Sequence, residues 1–298
     1  MSSYLEANAR QRIHQLLDAG SFEEFLPPSA RVVSPHLAQL DTPASFDDGV
    51  VIGSGRLNGK PVLAASQEGG FMGGAVGEVH GAKLVGLLKR AVIDQVDAVI
   101  LLLETGGVRL HEANAGLIAV SEVMRAVLDT RAANIPVIVL VGGANGCFGG
   151  MGIVACCANA ILMSEEARLA MSGPEVIETT HGVEEFDSRD RALVWRTTGG
   201  KHRYLLGDCN AVLPDDIDAF RKAATDTMAR YQVHSAVLTF DELQAEHQML
   251  SKRLSDFGRL DEPMEIWERL GIVDPASLPM LEAEAFMQQT AGFRAGER

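Results

Sequence analysis

At 298 residues and 47% hydrophobic content, the chain is long enough to bury a sizeable core within one main domain. Its 40 acidic against 26 basic residues give a formal charge of -14 and a pI near 5.0, a field that repels nucleic acid and anionic membranes alike. No apolar run approaches the ~20 residues that cross a bilayer, and Met1–Gly20 shows no signal-peptide pattern, so a soluble, cytoplasmic protein is expected.

Residues 1–45 mix charge, prolines and short apolar groups, including Phe25-Leu26-Pro27-Pro28, and read as a helical arm followed by an irregular connector. A core is expected over 46–235 and a helical region over 236–298. From Val50 the pattern becomes two strand-like runs around Asn58-Gly59, a pair that tolerates positive φ and suits a tight hairpin. A glycine-rich stretch, Gly69 to Gly77, leads into a helix predicted from Val79 to Gln95, with Lys83, Lys89 and Arg90 on its solvent side. The apolar run Ala98–Leu103 reads as a strand that ends on Glu104-Thr105-Gly106-Gly107, and a helix follows from His111 towards Arg131.

The same unit then recurs. Pro136–Val141 is a buried strand, Gly142–Gly150 a glycine-rich loop, Met151–Ala158 a short helix and Ala160–Met163 another strand. Strand, loop and helix in succession, with continuously apolar strands, indicate an α/β class with a largely parallel sheet covered on its faces. Helical patterns at Pro214–Tyr231 and Asp241–Phe257 precede a tail that reads as frayed. Cys147, Cys156, Cys157 and Cys209 lack Cys-x-x-Cys spacing, so packing in a reducing compartment is expected and no metal site.

Two of the glycine loops lie between a buried strand and a helix, where unsatisfied N–H groups can face one anionic oxygen. Glycine allows close approach and unusual dihedrals there, so Gly106, Gly107, Gly149 and Gly150 are the candidate oxyanion-hole donors, with Gly106-Gly107 first. A single Gly-Gly pair is more often just a tight turn; two equivalent loops change those odds. Neither a dinucleotide fingerprint nor a Gly-Lys-Ser/Thr phosphate loop is present.

FMGGAVGEVHGAK (Phe71–Lys83), ETGGVRLHE (Glu104–Glu112) and the run from Gly149-Gly150-Met151 through SGPEVIE (Ser172–Glu178) resemble, in order and spacing, three motifs of acyl-CoA carboxyltransferases of the crotonase superfamily. The resemblance spans about Val50 to Glu178 and implies a crotonase-like (ClpP/crotonase) fold of the N-terminal carboxyltransferase-domain type, parallel sheets flanked by helices. GGVRLHEANAGL with GGANGCFGGMGIVACCANAILM is most similar to the β subunits of biotin-independent malonate decarboxylases. That likeness implies a homologous γ subunit sharing the active site, an acyl-transferase α subunit, and an acyl carrier protein whose CoA-like phosphopantetheine group delivers malonyl. The likeness implies no biotin and no cofactor bound by this chain. The N-terminal region lacks the cysteines of the zinc ribbon found in bacterial carboxyltransferase β chains, and Met151-Gly152 replaces the usual Val-Thr after the paired glycines.

Decarboxylation of a malonyl thioester pushes an electron pair onto the carbonyl oxygen, so the enolate is the species to stabilise, and one fixed donor contributes roughly 3 kcal/mol. The second loop either holds the departing carboxylate or survives as geometry. For protonation, Glu78, His80, His111 and Glu112 lie near the loops, although such residues are more often caps or solvated groups. Gly73, Gly74, Arg109, Lys83 and Cys147 are expected to line the substrate site, the two cations meeting phosphates of the arm and Cys147 serving as a small wall residue. Lys201-His202-Arg203 is a candidate docking patch for an acidic carrier. The rival readings are a biotin-dependent carboxyltransferase subunit and a non-catalytic scaffold.

Overall fold

The computed structural model describes residues 2–295. Its centre is a seven-stranded sheet in which spatial order follows chain order. The strands are β1 (Glu23–Phe25), β2 (Val50–Leu57), β3 (Lys60–Gln67), β4 (Ala98–Leu103), β5 (Val137–Val141), β6 (Ala160–Ser164) and β7 (Ala211–Leu213). β1, β2 and β3 pair antiparallel, and β3 through β7 pair parallel. The β2–β3 turn has φ of 51° at Asn58 and 76° at Gly59, as the Asn-Gly pair predicts, and the Asp18 carboxylate accepts both turn amides.

Helices cover both faces. They are α1 (Ala9–Leu16), α2 (Pro35–Gln39), α3 (Glu78–Asp94), α4 (Asn114–Ala132), α5 (Gly150–Cys156), α6 (Pro174–His181), α7 (Arg191–Thr198), α8 (Gly200–Leu206), α9 (Ile217–Val233), α10 (Phe240–Phe257), α11 (Pro263–Arg269) and α12 (Ala283–Thr290). Strand β4 shows why its six residues are all apolar: Val99, Leu101 and Leu103 face α3 and α4, while Ala98, Ile100 and Leu102 face α1 and α9. Trp267 of α11 and Phe286 of α12 join the first of these cores, which fastens the C-terminal region to the sheet. No described helix is long and apolar enough to cross a membrane.

The parallel strands all end at one edge, which is where the glycine-rich loops emerge and where α/β sheets place their ligands. The loops extend the pairing past the sheet. Val76 bridges Val108, Thr105 bridges Cys147, and Cys147 bridges Leu169, all in parallel sense. The N-terminal arm is part of this assembly, because β1 pairs with β2 and α1 packs across β3.

Candidate active site

The two loops predicted to carry the chemistry meet backbone to backbone. Gly107 has φ of +123° and Gly149 φ of +64°, and a Cβ at Gly149 would lie 3.1 Å from the Gly107 Cα. Any side chain at this contact meets both backbone strain and the facing chain. Thr105 N–H donates to the Gly146 carbonyl at 2.8 Å and Phe148 N–H to the Thr105 carbonyl at 2.9 Å, which fixes one loop against the other.

Hydrogen bonding redistributes the donor roles. Gly106 N–H donates to the Gly73 carbonyl at 2.8 Å, Gly149 N–H to the Met171 carbonyl at 2.9 Å, and Gly107 N–H to Thr105 Oγ1 at 3.0 Å. These three amides hold the loops in place, so the expectation that they point at a ligand is corrected. Gly150 N–H has no acceptor among the described residues, nor has Val108 N–H, and both residues are half-buried. Arg109 N–H and the Gly107 carbonyl both bond to Val76, which turns the intervening Val108 amide to the other side. Each free amide is thus one residue beyond the Gly107–Gly149 contact.

Beneath the loops runs a buried polar network. Glu104, at the tip of β4, pairs with Arg12 of α1, and its Oε1 accepts the Asn145 amide at 3.2 Å. Asn145 Nδ2 donates to the Gly69 carbonyl at 2.9 Å, so all three glycine loops are tied to one carboxylate. A Cβ would come within 2.4 Å of that carboxylate at Gly69 and 2.2 Å at Gly143, which explains both glycines by space. Glu104 N–H donates to Gln67 Oε1 at 3.1 Å, and Gln67 Nε2 lies 3.1 Å from His80 Nε2. Burial, reinforced by Arg109 and Lys83, pushes His80 down to about 3, so the ring is neutral.

Arg109 and Lys83 belong to this network and not to an open wall. Arg109 Nη1 donates to Glu112 Oε1 at 2.7 Å and reaches Asp48 Oδ2 at 3.1 Å, with all three side chains fully buried. Burial raises the Asp48 pKa against the pull of Arg109. Burial also works to raise Glu112, yet the Glu78 amide and Arg109 outweigh it and hold Glu112 below its ordinary value. Lys83 sits on the inner side of α3, its Nζ donating to the Asp47 carbonyl at 2.7 Å and to the Val50 carbonyl, and burial lowers its pKa. The predicted phosphate contacts of both cations are therefore replaced by internal ones; helical spacing alone does not say where a long side chain folds.

Gly73 is exposed, whereas a Cβ at Gly74 would lie 1.9 Å from the Glu104 carbonyl oxygen. Cys147 is completely buried and its thiol is pushed up by desolvation, so it is core and not wall; Cys156, expected to be packed, is exposed. Of the proton-donor candidates, His80 and Glu112 are internal, Glu78 pairs with His36 at 2.7 Å, and His111 is exposed at the rim. Lys201-His202-Arg203 is not an open patch. Lys201 donates to the Pro279 and Leu281 carbonyls, buried His202 accepts from Trp267 Nε1 at 3.1 Å, and Arg203 pairs with Asp208 at 3.1 Å. No cluster of three or more His, Cys, Asp or Glu suited to a metal is found among the described residues.

The carboxyl transferase domain model matches residues 6–226, a span that takes in the three glycine loops and the buried network beneath them, Arg12 included. The chain belongs to the carboxyl transferase domain family. It is 40% identical to the malonyl-S-ACP:biotin-protein carboxyltransferase of Malonomonas rubra over 98% of this chain and 97% of that protein. A chain of the Pseudomonas malonate decarboxylase hetero-tetramer, solved in complex with malonate, superposes with a TM-score of 0.79 at 42% identity, covering 87% of this chain and 93% of that one. A chain of the Pseudomonas malonate decarboxylase hetero-dimer gives 0.66 at 38% identity, covering 85% and 97%. The family and the mixed α/β fold expected from the glycine motifs are thereby borne out.

Proposed function

We propose that this chain is the β-type subunit of a malonate decarboxylase and that it stabilises the enolate formed when a malonyl thioester loses carbon dioxide. The observation that carries the reading is the pair of unsatisfied amides at Val108 and Gly150, flanking the Gly107–Gly149 contact at the strand-tip edge. An oxygen held there gains charge only as the carbon–carbon bond breaks, so the two donors favour the transition state over the ground state. Gly106, Gly107 and Gly149 act by fixing the two loops, through their own amide bonds and the Gly107–Gly149 contact, so that the two donors stay beside each other. The buried Arg12–Glu104 and Arg109–Asp48–Glu112 groups supply the rigid support beneath them.

The substrate in this reading is malonyl carried on an acyl carrier protein through a phosphopantetheine group, and the product is the acetyl thioester. A homologous γ subunit completes the site, with an acyl-transferase α subunit loading the carrier. Support for a partner comes from the rim of the loops, where Leu110 is 86% exposed, Ile118 61% and Met171 61%. Apolar side chains at that exposure beside a candidate site mark a contact surface.

A second reading is carboxyl transfer to biotin, favoured by the Malonomonas relative, whose name specifies a biotin-protein acceptor. Both reactions use the same enolate and differ in the fate of the carboxyl group. The test is to mix the chain with its homologous partner and malonyl-labelled carrier in the presence of avidin and measure released carbon dioxide. Release unaffected by avidin supports direct decarboxylation; without avidin, label carried over to an added biotinyl protein with no prompt release supports transfer.

A further inference from the structure

A cavity of about 400 Å³ lies between α7, the start of α8 and the segment that ends at Pro279. Arg191, Trp195 and Arg196 line it from α7, Glu165 and Glu166 from the end of β6, and Trp267 from α11. Lys201 also reaches the wall, but its ammonium is committed to two backbone carbonyls. The uncommitted cations on the wall are thus Arg191 and Arg196, beside the carboxylates of Glu165 and Glu166, in a chain whose net charge is -14.

The cavity is connected to the glycine loops by stacked groups. The Arg168 guanidinium lies 5.7 Å from the Phe148 ring centroid and 5.1 Å from that of Trp195, and the Arg191 guanidinium lies 5.3 Å from that same indole. Arg168 Nη2 also donates to the Ala144 carbonyl inside the second loop. An extended ligand with its acyl end at Gly150 therefore has a continuous aromatic and cationic edge to follow towards α7. Arg191 and Arg196 make no ion pair among the described residues, unlike Arg12, Arg109 and Arg203.

We infer that this cavity holds the phosphate of the substrate's phosphopantetheine-type arm, with Arg191 and Arg196 supplying the charge and Trp195 packing against the arm. The inference rests on the proposed carrier-bound substrate. An acidic protein repels a phosphate-bearing substrate unless local cations offset its field, and Lys83, Arg109 and Arg203 are committed inside the chain.

The chain's two tryptophans, Trp195 and Trp267, both line the cavity, so intrinsic fluorescence reports on it directly. The experiment titrates the full chain with 4′-phosphopantetheine, with pantetheine lacking the phosphate, and with inorganic phosphate. The expected result is saturable quenching by 4′-phosphopantetheine, roughly tenfold or more weaker binding of pantetheine, and a comparable loss in Arg191→Gln and Arg196→Gln. Arg191 is exposed, so its variant tests the site without disturbing the core. Quenching by inorganic phosphate alone, with no preference for the arm, identifies a free-phosphate site and overturns the assignment. Equal affinity for pantetheine and its phosphate, or an unchanged Arg191→Gln and Arg196→Gln response, also overturns it. Binding as expected without any decarboxylation by the assembled enzyme would sink the proposed reaction and leave the phosphate site standing. Decarboxylation with an unaltered KM in both variants would do the reverse.

Discussion

Arg12, in the first helix, forms an ion pair with Glu104 at the tip of the fourth strand, and both side chains are almost fully buried. The pair is 92 positions apart in the chain and lies under all three glycine loops. Removing one partner leaves the other charge buried and unpaired, which costs about 3–5 kcal/mol. Arg12→Met is accordingly expected to lower the urea-unfolding free energy by about that amount, and combining it with Glu104→Gln is expected to recover part of the loss. Additive losses in the double variant would show that the two groups do not act as a pair.

Gly149→Ala tests the loop contact. The added Cβ lies 3.1 Å from the Gly107 Cα at a positive φ, so the backbone shifts and carries the Gly150 amide with it. Loss of one oxyanion donor lowers kcat by about 10²–10³ in comparable sites. A fall of that order in kcat, with far-ultraviolet circular dichroism unchanged, is the expected outcome. Retention of full activity would remove Gly149 from the account.

His80 and His202 are held neutral, burial pushing both down to about 3 from an ordinary value of 6.5. Between those values the unfolded chain binds more protons than the folded one, so stability falls as the pH drops through the window. The slope is about 1.4 kcal/mol per pH unit for each histidine. Unfolding measured at about pH 7 and about pH 5 should show this loss, and His202→Gln should reduce the slope by roughly half. An identical slope in the variant would exclude His202 as a source.

The apolar rim at Leu110, Ile118 and Met171 is the surface assigned to the homologous partner. Ile118→Glu is expected to weaken that association by roughly tenfold or more while leaving the melting temperature of the isolated chain unchanged. Sedimentation of the mixed subunits checks it; co-sedimentation at parental affinity places the partner elsewhere.

Much of the scaffold is legible from residue order. Six consecutive apolar residues at Ala98–Leu103 need a strand buried on both faces, and Asn58-Gly59 needs a hairpin. The glycine loops that frame the candidate site are legible too, because strand-to-helix connections at 104–107 and 142–150 follow from the same pattern. What is not legible is which amides stay free. Gly106 and Gly149 are satisfied by Gly73 and Met171, partners that only the folded loops bring near. Lys83 reads as a solvent residue because helical periodicity gives the direction of a Cβ and not the reach of a four-carbon stem, which here turns inward to two carbonyls of the β2 entry. Arg12 carries no local signal at all, since its role is defined by a residue in another part of the chain.

Amide exchange read residue by residue is the most direct probe of the proposed oxyanion donors. The isotopically labelled chain, assembled with its partner, is measured with and without a malonyl-thioester analogue whose carboxylate is replaced by a sulfonate that cannot leave. The account predicts that the N–H groups of Val108 and Gly150 gain protection on binding, while those of Gly106 and Gly149, already bonded, change little. Saturation by the analogue with Val108 and Gly150 exchanging as fast as in the free protein would contradict it.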